Sequence, residues 1–343
     1  MQVSPVLIPN SPIFLLGEAP GKSEELLGKP FVGASGQELD RMLADAGIER
    51  SQCSISNVFL ERPKDNDLGN WLVSKKQGGV GLEYKRGKYF PFDKDQERLR
   101  LYREIDLVKP NIVVAMGNTA IWATIGRTGV SSVRGTVTPS PYINTPYGPL
   151  KVMATMHPAA IIRQYELRAT TVIDLIKAKA ESAFPEIKLP RTQVLIKPNL
   201  RDLALAEEIL VNATLMSYDI ETACGQITCI GFATRDFAIC VPFVAYQDPT
   251  KSYWSQEEEI LVWKAIRRIL SSDTIKVTQN GLYDIQYLLK YGIAPRMSLH
   301  DTMLLHHSIM PELPKSLGFL GSVYTNFPSW KHMRKTETLK REE

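Results

Sequence analysis

Ile13-Phe14-Leu15-Leu16 is a short, continuous apolar run, the pattern of a strand buried on both faces, as in parallel sheets covered by helices on either side. It leads directly into Gly17-Glu18-Ala19-Pro20-Gly21, and the chain runs on to Pro30-Phe31-Val32-Gly33. After these, Ser35-Gly36-Gln37-Glu38 reads as a capping box that opens a helix. Leu39, Met42, Leu43 and Ala46 then fall at helical spacing, and Gly47 stops the helix. A polar, glycine-rich loop therefore lies between a strand and a helix, where open α/β sheets put their sites. One carboxylate, Glu18, stands at the strand tip, and one aromatic, Phe31, stands further along.

Gly21-Lys22-Ser23 looks like the end of a phosphate-binding loop. That motif needs four residues between its first glycine and the Gly-Lys pair, and only three separate Gly17 from Gly21. The nucleoside-triphosphate reading fails on this spacing. The whole string GEAPGKSEELLGKPFVGASGQEL instead closely resembles the first motif of uracil-DNA glycosylases, specifically the iron–sulfur branch called family 4.

Further matches follow in chain order. Cys53 to Phe59 alternates like a strand and delivers Asn57, which resembles the family's asparagine that reads the pyrimidine edge of a flipped base. A carboxamide suits that task because it offers a donor and an acceptor in one plane. Residues 64–92 read as an exposed loop or hairpin, and their mixed basic and aromatic residues could touch single-stranded DNA. Asp95 to Val108 reads as a charged helix, Ile112 to Gly117 as a buried strand, and Asn118 to Ile125 as a helix. Val133-Arg134-Gly135 resembles the family's arginine-glycine element. Lys151 to Met156 is a strand whose tip carries His157-Pro158-Ala159-Ala160-Ile161-Ile162-Arg163, resembling the family's last motif, and a single helix from about Ala160 to Phe184 closes the domain. The alternation of strands and helices predicts a mostly parallel three-layer α/β/α sandwich.

The resemblance implies DNA as partner and uracil, rotated out of single- or double-stranded DNA, as substrate. Phe31 would stack on the base, Asn57 would read its edge, and the loop of Gly17, Ala19, Pro20 and Gly21 would help to hold it through the backbone amides that it offers. Glu18 would orient the attacking water and stabilise the cationic sugar, and His157 would stabilise the departing anion. Ile161 and Ile162 would form the apolar wedge that fills the vacated stack, and Arg163 would hold a phosphate. The chain departs from the family in its cysteines. Cluster-binding members carry a CxxC near the N-terminus and two more cysteines after the asparagine motif, whereas here Glu61 lies where the third is expected. The four cysteines, Cys53, Cys224, Cys229 and Cys240, lack CxxC spacing, and three of them belong to the other half of the chain. No iron–sulfur cluster is expected, and the glycosylase needs no other cofactor.

A length of 343 residues suggests two domains, and a net charge of +4 is compatible with a polyanionic partner. No stretch has the make-up of a signal peptide or the length to span a membrane, and the cysteine usage fits a reduced compartment, so a bacterial cytoplasm, a phage-infected host included, is expected.

The proline-punctuated stretch 186–198 reads as a linker between a first domain, 1–185, and a second, 199–343. Asp202 to Val211 looks helical, and Met216 to Thr222 is a strand holding Asp219 and Glu221 two residues apart, on one face. Strands at Ile227 to Ala233 and Phe237 to Phe243, a helix at Gln256 to Leu270, a strand at Ile275 to Thr278 and a helix opened by Asn280-Gly281-Leu282-Tyr283-Asp284 complete the pattern. With His300-Asp301-Thr302-Met303-Leu304 it resembles the 3′–5′ proofreading exonuclease of DNA polymerase I-type enzymes, a ribonuclease H-like α/β fold. The resemblance implies Asp219, Glu221 and Asp284 as ligands of Mg2+ or Mn2+, and Asp301 as a helix cap rather than a ligand. The family's fourth carboxylate, in a Tyr-x-x-x-Asp motif, has no counterpart: Tyr324 is followed by Thr325-Asn326-Phe327-Pro328, and the basic run Lys331 to Arg341 reads as the approach to a missing helix. The expected whole is a uracil-excising domain joined to an incomplete exonuclease domain at the front of a phage-type DNA polymerase, with polymerase or replisome partners. The alternatives are a non-catalytic module that binds uracil or template DNA, and a purely structural scaffold.

Overall fold

In the computed structural model, which describes residues 2–188, 191–248 and 250–327, the apolar run becomes strand β1 (Ile13–Gly17), buried at every position. The chain continues through α1 (Lys22–Leu27), α2 (Ala34–Asp45) and β2 (Ser54–Asn57) to three short strands, β3 (Val73–Ser74), β4 (Gly79–Lys85) and β5 (Lys88–Pro91). It then forms α3 (Phe92–Val108), β6 (Ile112–Met116), α4 (Asn118–Ile125), α5 (Val130–Val133), β7 (Val137–Thr145), β8 (Gly148–Thr155), α6 (Pro158–Arg163) and α7 (Arg168–Glu181).

The main sheet has the order β2-β1-β6-β8-β7, parallel except for β7 at one edge. Alternation along β1 explains the three layers. Phe14 and Leu16 join a core with Leu101 and Ile105 of α3 and Trp122 of α4, whereas Ile13 and Leu15 join another with Leu39 and Met42 of α2 and Leu175 of α7. Each such side chain contributes about 1.5–3 kcal/mol by leaving water, so β1 is anchored from both sides.

Three local expectations need correction. The capping box at Ser35 does not form: α2 is capped two residues earlier, at Gly33, without a side-chain cap. Glu38 instead accepts from Arg168 Nε at 2.8 Å, tying α2 to α7. The single helix expected from Ala160 is two, because Gln164 leaves helical geometry at φ −138°, ψ 81°. Residues 64–92 do contain a hairpin, β4 to β5, but it is not wholly exposed. Strands β3, β5 and β4 form a small antiparallel sheet whose Phe90 packs 4.9 Å from Trp122, ring centre to ring centre.

The second unit, residues 191–317, contains β9 (Gln193–Leu195), α8 (Leu200–Val211), β10 (Leu215–Ala223), β11 (Gln226–Ala233), β12 (Phe237–Pro242), α9 (Gln256–Ser271), β13 (Ile275–Thr278), α10 (Leu282–Lys290), β14 (Ser298–Asp301) and α11 (Thr302–Ile309). Its sheet order is β14-β13-β10-β11-β12-β9. The central strand β10 pairs antiparallel with β11, which pairs antiparallel with β12, and β13 and β14 run parallel on the other side. This is the ribonuclease H-like arrangement, extended by β9 from within the stretch read as linker. Tyr218, Ile220, Ile230 and Phe232 form one buried face with residues of α8 and α9.

Residues 318–327 belong to the first unit, not the second. They include most of helix α12 (Leu317–Tyr324), whose Ser322 Oγ accepts from Arg134 Nη1 at 3.1 Å. Lys177 Nζ donates to the carbonyls of Ser322 and Thr325, each at 2.6 Å. The basic run Lys331 to Arg341 lies outside the described residues. Among those described, no helix is long and apolar enough to cross a membrane.

Candidate active site

Four parallel strands end at one place. Glu18 follows β1, Asn57 ends β2, Gly117 follows β6 and His157 follows β8. Gly17 and Asn57 are register partners, so the carboxylate and the carboxamide emerge side by side. Around them Glu18, Ala19, Pro20, Gly21, Phe31, Asn57, His157 and Arg163 line a single cavity of about 470 Å³. The cavity lies at the carboxyl ends of the strands, beside β1, where the strand order turns back on itself.

Gly17 supplies no lining; its role is to have no side chain. A Cβ there would lie 2.3 Å from Asn57 Oδ1 and 2.5 Å from Phe31 Cζ, so both groups rest on bare backbone. Phe31 takes φ 54°, a left-handed conformation that costs a non-glycine residue about 1 kcal/mol or more. Arg50 holds the turn, donating to the carbonyls of Pro30 and Phe31 at 3.1 and 3.0 Å. The Phe31 ring lies 5.8 Å from the His157 ring.

Asn57 is 4% exposed, and among the described residues its carboxamide has no hydrogen-bond partner. The carboxamide is not sealed off: it lines the cavity, so its donor and acceptor are open to water or to a group that enters. His157 caps α6, its Nδ1 accepting from Ala159 N at 3.2 Å. The ring hydrogen is therefore on Nε2. Burial and the nearby Arg163 push the imidazolium down to about 4, so at neutral pH the ring is an uncharged donor. Glu18 is pushed up by burial, opposed by a hydrogen bond from Thr119.

Arg163 is exposed at the cavity edge, in the last turn of α6. The expected apolar wedge is only half present. Ile161 is wholly buried in the core below α6, because that side of the helix packs toward α2, whereas Ile162, 54% exposed, points outward. The loop amides also need correction. Gly21 N donates to Glu24 Oε2 at 3.1 Å, while Val32 N and Gly33 N donate to Glu24 Oε1 at 3.2 and 2.9 Å. Glu24, missed in the sequence, is thus buried to staple the two loops, and the Gly21 amide is already taken. Thr119 and Tyr84 were missed too, since nothing local links an α4 threonine or a hairpin tyrosine to Glu18.

A family model described as the uracil DNA glycosylase superfamily matches residues 5–179, and so holds every one of these residues. The chain belongs to the uracil-DNA glycosylase superfamily. Type-4 uracil-DNA glycosylases of Archaeoglobus fulgidus and Thermotoga maritima are 33% and 30% identical to it, over 162 and 172 residues. Those alignments cover 46% and 49% of this chain and 69% and 76% of the relatives. Similar solved structures include Escherichia coli RNase D, at 16% identity and TM-score 0.31, covering 45% of this chain and 38% of that one. The Nibbler EXO domain of Aedes aegypti, at 14% identity and TM-score 0.33, covers 46% and 80%.

In this member of the uracil-DNA glycosylase superfamily the residues do not fit an iron–sulfur cluster. Cys53 is buried, its thiol is pushed up to about 11, and Sγ donates to the Glu49 carbonyl. Cys224, Cys229 and Cys240 sit in the other unit. Glu61, where the third thiolate was expected, accepts from Lys94 Nζ at 2.6 Å, and Lys94 lies 4.4 Å from the centre of the Trp71 ring. An ion pair occupies that position.

In the second unit, Asp219 and Glu221 stand exposed on one face of β10, as the strand period requires. Asp284, on α10, lies close enough to Asp219 to feel its charge, but it is buried. It is 2% exposed, and its Oδ1 accepts at 2.9 Å from Ile220 N, the backbone amide between Asp219 and Glu221. Burial, with Asp219 and Asp301 nearby, pushes its carboxyl up to about 6. Among the described residues, no three His, Cys, Asp or Glu side chains converge to hold a metal ion. Asp301 is a helix cap, its Oδ1 accepting from Met303 N and Leu304 N at the start of α11.

Proposed function

We propose that the first unit hydrolyses the N-glycosidic bond of deoxyuridine in DNA. The observation that carries this reading is the unpaired Asn57 carboxamide, which lines the same cavity as the Phe31 ring. A flat ring bearing both a donor and an acceptor on its edge would satisfy that amide while stacking on Phe31. Hydrolysis moves negative charge onto the departing pyrimidine and positive charge onto the sugar. The neutral His157 donates its Nε2–H to the pyrimidine oxygen where the negative charge collects, without first needing to lose a proton. Glu18, ionised, orients the attacking water and offsets the sugar's positive charge. Arg163 meets a flanking phosphate, and Ile162 fills the place that the base has left. The type-4 relatives support the same chemistry.

The test is incubation with uracil-containing oligonucleotides, single- and double-stranded, followed by alkali to break abasic sites. Glu18→Ala or His157→Ala should slow excision by about 10² or more while DNA binding persists. Strand retention without any abasic product would instead leave the non-catalytic uracil- or template-binding module. On the wider scale we read the second unit as a proofreading-type exonuclease fold carried by a phage-like DNA polymerase, with polymerase or replisome proteins as partners in a bacterial cytoplasm. Its support is the strand order around Asp219 and Glu221.

A further inference from the structure

Tyr84 stands on β4, close before the hairpin turn at Arg86 and Gly87. Along this strand Leu82 and Tyr84 pack inward, while Gly81, Glu83 and Lys85 face water. The tyrosine ring meets Phe90 at 5.1 Å and Trp122 at 5.6 Å, both edge-on, and those two rings are wholly buried. The phenol is thereby fixed at the wall of the cavity that holds Glu18. Its oxygen lies 2.9 Å from Thr119 Oγ1, and Thr119 Oγ1 donates to Glu18 Oε2 at 2.5 Å. A threonine hydroxyl has one hydrogen, and this one is spent on the carboxylate, so the phenol is the donor in the outer link. Both O–H groups thus point toward Glu18. Among the described residues the other carboxylate oxygen, Oε1, has no hydrogen-bond partner.

We propose that Tyr84 is a positioning residue for Glu18, which acts through Thr119 to hold Oε2 in place and leave Oε1 to face the water and the reacting sugar. The proposal rests on the glycosylase reading for the identity of the reaction, but the contact itself does not. Chained hydroxyls polarise one another, so the outer donor strengthens the inner bond. The carboxylate has few other supports. Burial and the charge of Asp67 both disfavour its ionised form. Of the remaining charged or titratable groups on the cavity wall, Glu24 is committed to loop amides, His157 is neutral above a pH of about 4, and Arg163 stands at the exposed edge. The small sheet β3-β5-β4 therefore has a task in the site: it delivers the last link of this chain.

Tyr84→Phe removes one oxygen and keeps both ring contacts. With a second-link bond contributing about 0.5–1.5 kcal/mol, kcat should fall about 3- to 10-fold with KM held within about twofold. The acid limb of the kcat profile should move to higher pH. Thr119→Val should do more of both, and Thr119→Ser should restore them. A readout independent of activity is the titration of the Glu18 carboxyl, followed by carbon NMR in the free protein. It should rise in Tyr84→Phe and rise further in Thr119→Val, at unchanged melting temperature. If those shifts occur in a protein that excises no uracil, the positioning contact stands and the glycosylase reading falls. If Tyr84→Phe leaves both the titration and the acid limb where they were, with or without a loss of rate, Tyr84 only packs and the proposal is overturned.

Discussion

Gly17→Ala probes the whole arrangement with a single methyl group. The added carbon would stand 2.5 Å from Phe31 Cζ and 2.3 Å from Asn57 Oδ1. Carbon atoms rest about 3.5–4.0 Å apart, so the ring, and by a similar margin the carboxamide, must retreat about 1 Å. Neither can do so freely, since Phe31 is held in a left-handed turn by two bonds from Arg50 and Asn57 is 4% exposed. Overpacking of this kind costs about 1–3 kcal/mol, which in a unit of this size lowers the melting temperature by about 2–10 °C. The functional loss should be larger. A base stacked on the displaced ring is misplaced by the same distance, and about 1 Å of misplacement costs about 10²-fold in rate. The assay pairs thermal unfolding with single-turnover excision from a uracil oligonucleotide. A variant with wild-type melting and wild-type rate would refute the claim that Phe31 and Asn57 rest on the backbone of residue 17.

The histidine can be tested through stability. Its folded-state pKa, about 4, lies below the ordinary 6.5, so the native state binds fewer protons between those values and loses stability as pH falls through that window. Urea titrations at pH 7 and 4.5 should show a loss of about 2 kcal/mol in the wild type that is absent in His157→Phe; equal losses in both would dismiss the assignment. The purified chain should be colourless and free of stoichiometric iron, because Cys53 is the one cysteine of its unit; a brown protein with a thiolate-to-iron band would contradict the donor argument. Given Mg2+ or Mn2+ and an end-labelled single strand, the chain should trim DNA poorly. Robust 3′ trimming abolished by Asp219→Ala would mean that Asp219, Glu221 and Asp284 do assemble a working site.

Much of the first unit was legible because β1 is uniform. Four consecutive apolar residues admit few placements other than the middle of a covered parallel sheet, and a glycine-rich loop after such a strand marks the site edge. Asn57 and His157 could be read as strand tips for the same reason, and both are. The errors share a cause as well. Ser35 and Glu38 match a capping pattern, yet Glu38 pairs with Arg168, 130 residues away, and not with its own helix end. Ile161 and Ile162 are identical in type and adjacent, and only the packing of α6 toward α2 buries one and exposes the other.

Local sequence, then, determined the strand tips, the loop between β1 and α2, the Asp219 and Glu221 face and the lack of four thiolates, since each depends on residues close along the chain or on composition alone. Tertiary structure alone decided the rest. Glu24 closes two loops, Tyr84 reaches Glu18 through Thr119, Asp284 turns inward, and residues 318–327 return to the first unit. These are long-range pairings in which a polar group, once buried, binds whichever partner the packing of the core brings within reach, and no pattern of neighbours along the chain records that choice.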